Sequence, residues 1–190
     1  MIAIDRMTPG LPPAGFSFAR TGQGSAGELT VTADRTAAAG KVIEQTSTDR
    51  TDYRFPLAIR ESLSAANVDV EVSFKAVAGK TDQAGGIAVR LVDADNYYVA
   101  RANALEDNVR FYRVVAGRRE QLDGANLRAS PNEWHTLGLR AEGQRFTVSF
   151  DGRKLFSATD KTFAVAGAVA LWTKSDSVTR FDRLKITVLP

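Results

Sequence analysis

An all-β fold, an antiparallel sandwich or barrel, is what this sequence predicts, and three observations predict it. From Val68 onward, short stretches of alternating apolar and polar residues recur at intervals of about 8 to 12 residues. Turn-forming pairs such as Asp95-Asn96, Glu142-Gly143 and Asp151-Gly152 separate them. Helical spacing is nearly absent, since only FPLAIRESLSAAN and the Ala-rich TAAAG have room for a helical turn.

The first 30 residues, with Pro9, Pro12, Pro13 and several glycines, read as an irregular wrap over the sandwich. ELTVTA and KVIEQT then join it as strands. NVDVEVSFK alternates strictly, with Val68, Val70, Val72 and Phe74 on one face and Asp69, Glu71, Ser73 and Lys75 on the other, as a half-buried strand requires. Further strands are expected around Ile87-Val89-Leu91 and at YYVARAN, NVRFYRVV and RREQL. EWHTLGLRA, QRFTVSF, RKLFSA, GAVALWT and TRFDRLKIT continue the series. Asp151-Gly152 between FTVSF and KLFSA is a hairpin signal, because a tight primed turn needs positive φ and these residues tolerate it. No linker and no fixed-period repeat divides the chain, so residues 1–190 read as one domain.

Composition narrows the function classes. With 44% hydrophobic and 25% charged residues the chain has enough apolar material for a core. No cysteine is present, which removes disulfides, thiolate metal sites and cysteine nucleophiles. The net charge of +3 is spread among interspersed acids and bases rather than gathered into a basic stripe, so nucleic acid is not an expected partner. No apolar run approaches the roughly 20 residues that cross a bilayer, and the N-terminus lacks the basic flank and apolar core of a signal peptide. A membrane is therefore not an expected partner either, and the oligomeric state is open.

DQAGGIAVRLVDADNYYVARANALEDNVRFYRVVAGRR, then NEWHTLGLRAEGQRFTVSFDGRKLFSATDKTFAVAGAVALWTKSDSVTRFDRLKI, resembles a bacterial family of concanavalin A-like domains. These are labelled laminarinase-like, LamG-like or 3-keto-disaccharide hydrolase-like. GFSFARTGQG and TDYRFPLAI are similar as well, so the likeness covers most of the chain. It implies a concanavalin A-like jelly-roll of two stacked antiparallel sheets, in which sugars bind on an outer concave face. Kin of this type often carry export signals, which implies a periplasmic or extracellular location and leaves the cytoplasm open.

Pleat alternation then nominates the residues of that face. With Ile87, Val89 and Leu91 toward the core, Arg90 points outward. With Tyr98, Ala100 and Ala102 inward, Arg101 and Asn103 point outward; with Val109 and Phe111 inward, so do Asn108, Arg110 and Tyr112. Trp172 follows the same logic if Val169 and Leu171 are inward, and Trp172 with Lys174 forms one wall. Guanidinium forks, amides and a phenol hydrogen-bond sugar hydroxyls or a carboxylate, and an aromatic plane covers the apolar face of a sugar ring.

The acids make a weaker case. Retaining glycanases of this fold place carboxylates in an E-x-D-x-x-E pattern on one strand, about 5 to 5.5 Å apart across the bond. That pattern does not occur, and Asp69 and Glu71 alternate without a third acid. Glu106 and Asp107 are adjacent in a turn, so Glu106 is at most a lone acid or base. The single histidine, His135, shares a face with Leu137 and Leu139 and reads as a core or edge residue with a satisfied imidazole rather than a ligand. No cofactor is expected. Calcium is possible at Asp93 and Asp95, which with Asn96 resemble the start of a calcium loop but lack its downstream Gly and Glu, so a hairpin turn is the simpler reading. The expected function is carbohydrate binding on the concave face. The alternatives are a non-standard glycoside hydrolase or lyase acting on a modified disaccharide, and a non-catalytic protein-interaction module.

Overall fold

The computed structural model describes residues 1–190 and contains, after one 3-10 turn at Ile4–Arg6, fourteen β-strands. β1 (Phe16–Gly22), β2 (Leu29–Ala33), β3 (Lys41–Gln45), β4 (Arg54–Arg60) and β5 (Val68–Ala78) come first. β6 (Ala84–Asp93), β7 (Asn96–Asn103), β8 (Asn108–Val115) and β9 (Arg118–Asn126) follow as a meander. β10 (His135–Glu142), β11 (Arg145–Phe150), β12 (Arg153–Thr159), β13 (Ala168–Thr173) and β14 (Val178–Val188) complete the set. Sheet A has the order β1-β4-β13-β6-β7-β8-β9, and sheet B the order β12-β11-β10-β5-β14-β3-β2. Every pairing is antiparallel, and the two sheets stack as a jelly-roll sandwich. No helix is long and apolar enough to cross a membrane.

Alternation builds the core between the sheets. Val68, Val70, Val72 and Phe74 of β5 are at most 1% exposed, as the period of two predicts. They meet Leu137 and Leu139 of β10 and Phe181 of β14 in sheet B, and Ile87, Val89, Tyr98, Ala100, Val109, Phe111, Val169 and Leu171 from sheet A, all within one apolar cluster. Each aliphatic or aromatic side chain so buried contributes about 1.5–3 kcal/mol relative to exposure. The turns use the expected chemistry: Asp151 (φ 48°) and Gly152 (φ 75°) join β11 to β12, and Ala116 (φ 47°) and Gly117 (φ 75°) join β8 to β9 in the same left-handed conformation.

Two expectations are corrected. Residues 1–30 are not an irregular wrap throughout, because Phe16–Gly22 and the start of Leu29–Ala33 are strands at the edges of sheets A and B. The three prolines that obscure the pattern all precede β1, and β1 itself buries only Phe16 and Thr21, so it shows no regular alternation. FPLAI is not helical but lies within β4, while TAAAG folds as turns closed by Ala37 N–H to Asp34 O and Gly40 N–H to Ala37 O.

Sheet A is strongly coiled. Tyr97 of β7 lies four strands from β1, about 19 Å in a flat sheet, yet its Oη is 2.7 Å from Thr21 Oγ1. The Thr21 proton goes to Ala94 O, so Tyr97 donates to Thr21 and accepts from Trp172 Nε1 at 3.2 Å. Coiling gathers Phe55, Leu57, Ala88, Tyr97, Val99, Tyr112, Val114 and Trp172 into a second apolar cluster on the outer, concave face of the sheet.

Candidate functional site on the concave face of sheet A

Register brings the polar residues of this face into rows. One row runs Trp172, Gly86, Arg101, Arg110 and Gly124 across β13, β6, β7, β8 and β9. A second runs Ala84, Asn103, Asn108 and Asn126. The glycines are steric requirements. A Cβ at Gly86 would sit 2.7 Å from Ala100 O and 3.2 Å from Trp172 Cε3, and one at Gly124 would sit 2.5 Å from Arg110 Cδ. Absence of these side chains is what lets Arg101 and Arg110 lie along the sheet.

Arg101 is the hub. Its Nη1 donates to Asn108 Oδ1, and its Nη2 donates to Glu106 Oε2 at 2.8 Å and to Tyr112 Oη at 3.2 Å. The β7–β8 turn aims Glu106 back at it. Asn103 Oδ1 accepts from the Leu105 and Glu106 backbone N–H groups, and Asp107 takes φ 48°. Burial pushes the Glu106 carboxyl upward, but the Arg101 charge, the Asn108 hydrogen bond and Lys174 outweigh it and hold the group below its usual range. At the same corner Asn103 Nδ2 donates to Asp82, and Lys174 Nζ pairs with Asp82 Oδ2 at 2.6 Å. Asp82 is 2% exposed, and its burial raises its pKa despite Lys174 and Asn103. Arg110 donates to Asn126 Oδ1 at 2.7 Å.

Alternation therefore places Arg101, Asn103, Asn108, Arg110, Tyr112 and Trp172 on the predicted face, and Lys174 at its corner. Two details differ. Arg90 is not on this face: a β-bulge gives it φ 49° and breaks the register between Val89 and Asp93. The bulge turns Leu91 outward into the concave cluster and sends Arg90 inward, where it is 2% exposed. There its Nε donates to Ala66 O at 2.7 Å, Nη1 to Phe163 O at 2.8 Å and Nη2 to Gly143 O at 2.5 Å, and the guanidinium lies 5.1 Å from the Phe146 ring. Trp172 is not an exposed stacking wall, for it is fully buried, stacked on Phe55 with ring centres 5.2 Å apart. The coiling that the sequence does not announce is the cause. Accessible polar groups concentrate at the corner formed by Glu106, Arg110 and Lys174, where the Glu106 side chain is 42% exposed.

Two further residues of this face were not singled out by the sequence. Arg119, in GRRE, pairs across from Val114 of the concave cluster, and its guanidinium reaches Phe55 at 4.6 Å and Tyr112 at 4.5 Å. Its pairing with Val114 is readable only once the β8–β9 turn is placed at Ala116-Gly117. Asp82 lies in the loop before β6, where pleat alternation says nothing.

Asp107 does not pair with Glu106, since it accepts from the Ala129 N–H at 3.3 Å. Asp93 caps the β6–β7 turn, accepting from Asp95 N–H and Asn96 Nδ2, both at 2.8 Å. No group of three or more His, Asp or Glu side chains is placed to hold a metal ion. His135 contacts Asp151 Oδ2 at 2.8 Å and Ser130 O at 3.2 Å and stacks on Phe150, so both ring nitrogens have partners at the start of β10.

A family model described as the galactocerebrosidase C-terminal lectin domain matches residues 66–189, more than half of the chain. The chain belongs to this lectin domain family. The match spans every strand from β5 to β14, including β6, β7, β8, β9 and β13 of the concave face. Membership makes carbohydrate binding the function of this lectin-type domain. No curated protein matches the chain. Among solved structures, the carbohydrate-binding module CBM66 from Bacillus subtilis superposes with a TM-score of 0.72 at 22% identity, covering 89% of this chain and 94% of that one. A Bacteroides ovatus GH16 protein in complex with its product gives 0.62 at 12% identity, covering 94% and 97%. The Caenorhabditis elegans galectin LEC-6 gives 0.50 at 10% identity, covering 81% and 92%. At these identities the structural likenesses speak to the fold.

Proposed function

We propose that this lectin-family domain takes its sugar on the concave face of sheet A, at the corner where Arg101, Asn103, Asn108, Arg110, Tyr112 and Lys174 converge. The observation that carries this reading is the Arg101 hub. One buried guanidinium fixes Glu106, Asn108 and Tyr112 in a single orientation, so the carboxylate that the corner exposes is already ordered. Sugar hydroxyls donate to Glu106 and accept from Arg110 and Lys174. Trp172 closes the other end of the row, stacked on Phe55. Because the rest of the face is filled by its own aromatic side chains, the accessible corner suits one or two sugar units rather than a long chain lying across the sheet. Carbohydrate outside the cytoplasm is the partner that this reading implies.

A glycan array probed with the purified protein tests it. Bound glycans should be lost, by about 10-fold or more in affinity, in Arg101→Ala and Arg110→Ala; binding unaltered in both variants would sink the proposal. The finer likeness to 3-keto-disaccharide hydrolase-like domains supports a second reading on one observation. Asp82 and Glu106 share a corner with their acidities pushed apart, the pattern of an acid and a base. Incubation with oxidised and ordinary disaccharides should then release monosaccharides, and no release from either removes that reading.

A further inference from the structure

Two of the four cations on the concave face have carboxylate partners, Arg101 with Glu106 at 2.8 Å and Lys174 with Asp82 at 2.6 Å, and two, Arg110 and Arg119, have none. Arg110 meets only neutral oxygens, Val109 O and Asn126 Oδ1. Arg119 meets rings, those of Tyr112, Phe55 and Trp172 at 4.5, 4.6 and 5.9 Å.

The stronger observation is where hydrogen-bonding capacity is left over. Nε and Nη1 of Arg119 are buried with no partner, and so is Nε of Arg101, a residue only 4% exposed. Buried donors on charged groups are among the most costly atoms to leave unpaired, and most proteins pair them. Arg20 Nε is another such donor, but the three atoms on this face belong to two guanidiniums beside one ring: Arg119 lies 4.5 Å and Arg101 5.8 Å from the centre of Tyr112. The aromatic faces hold Arg119 in place through cation–π attraction while occupying none of its N–H groups.

We infer that the ligand of this face is an anionic saccharide, whose carboxylate or sulfate is received by Arg119 and Arg101 beside Tyr112 while Arg110 and Glu106 contact its hydroxyls. This rests on the concave-face reading above and adds the ligand's charge class. A planar guanidinium fork matches the two oxygens of a carboxylate, and the surrounding rings exclude the water that would otherwise weaken the pairing. Uronic or sialic acids and sulfated sugars offer the same chemistry from different sources.

An array carrying neutral, carboxylated and sulfated glycans, probed at about 50 and about 500 mM salt, separates the outcomes. The expected result is a bound set dominated by anionic glycans, with affinity falling at least about 10-fold as the salt screens the pairing. Enrichment of carboxylated over sulfated glycans, or the reverse, identifies the source. Arg119→Gln should erase the preference for charged glycans and Arg119→Lys should retain part of it, which a purely structural Arg119 would not do. The salt series on the unaltered protein needs no variant to fold. Neutral glycans bound in an Arg101-dependent, salt-independent manner overturn the anionic inference and leave the concave site standing. Binding that ignores both Arg101→Ala and Arg119→Gln, or no binding in any class, overturns both.

Discussion

Glu106 and Asp82 each hold a cation at the same corner of the concave face, Arg101 at 2.8 Å and Lys174 at 2.6 Å, yet their acidities move in opposite directions. For Asp82 burial dominates, and for Glu106 its cationic and amide neighbours do. The two therefore link to stability with opposite sign. The Glu106 contribution is present above its ordinary value of 4.5 and fades as pH falls through its lower folded value. The Asp82 group favours the folded state most below its ordinary value of 3.8, and that advantage is lost as pH rises through its higher folded value. Urea midpoints measured from acid to neutral pH should show Glu106→Gln losing stability only on the neutral side, by less than about 1 kcal/mol at so exposed a group. Asp82→Asn should instead lessen the loss that the unaltered protein suffers as pH rises. Parallel pH profiles for the two variants would contradict this assignment.

Arg90 closes the end of the sandwich by donating to three carbonyls from three separate loops. Removing its side chain strands those acceptors and opens a void beside Phe146. Arg90→Ala should cost on the order of 3–5 kcal/mol, or about 10 °C in melting temperature for a chain of this size, while leaving the concave face unchanged. Thermal unfolding followed by circular dichroism measures it, and a shift of a degree or two would contradict the account.

Gly86 keeps Trp172 and Arg101 apart in the polar row. Gly86→Ala brings a methyl within 2.7 Å of Ala100 O, which is backbone and cannot swing aside. The expected cost is about 1–3 kcal/mol, with weakened glycan binding from a displaced Arg101. Denaturant titration and binding should both respond, and a variant neutral in both would show that the row has slack.

Thr21→Val keeps the shape of the edge residue but breaks the chain from Trp172 through Tyr97 to Ala94. Tyr97, whose pKa burial pushes up to about 12, would be left with a buried hydroxyl proton and no acceptor. The expected loss is about 1–3 kcal/mol, with faster amide exchange in β1. Unchanged exchange protection in β1 would show that this contact does not hold the sheet coiled.

The sequence makes the strands from β5 onward legible because their alternation is regular and their turns carry Gly, Asp or Asn. It also makes Arg101, Asn103, Asn108, Arg110 and Tyr112 legible as one face, since β7 and β8 keep a strict period of two. Arg90 escapes because a one-residue bulge reverses alternation, and Arg90 itself is not a residue type that announces positive φ. Arg119 and the burial of Trp172 escape because they depend on sheet coiling, which brings residues four strands apart into contact. Strand-by-strand patterning carries no information at that range.

The placement of the two tryptophans gives the molecule its own optical reporter. Trp172 stacks on Phe55 beneath Arg119, whereas Trp134 sits by Lys75 and Thr36 on the far side of sheet B. A cation 5.9 Å from one indole, and held by nothing but rings, biases that indole's excited state. Its emission maximum should therefore move when the cation is neutralised. Trp134→Phe would silence the distant fluorophore, so that the remaining emission follows events on the concave face alone.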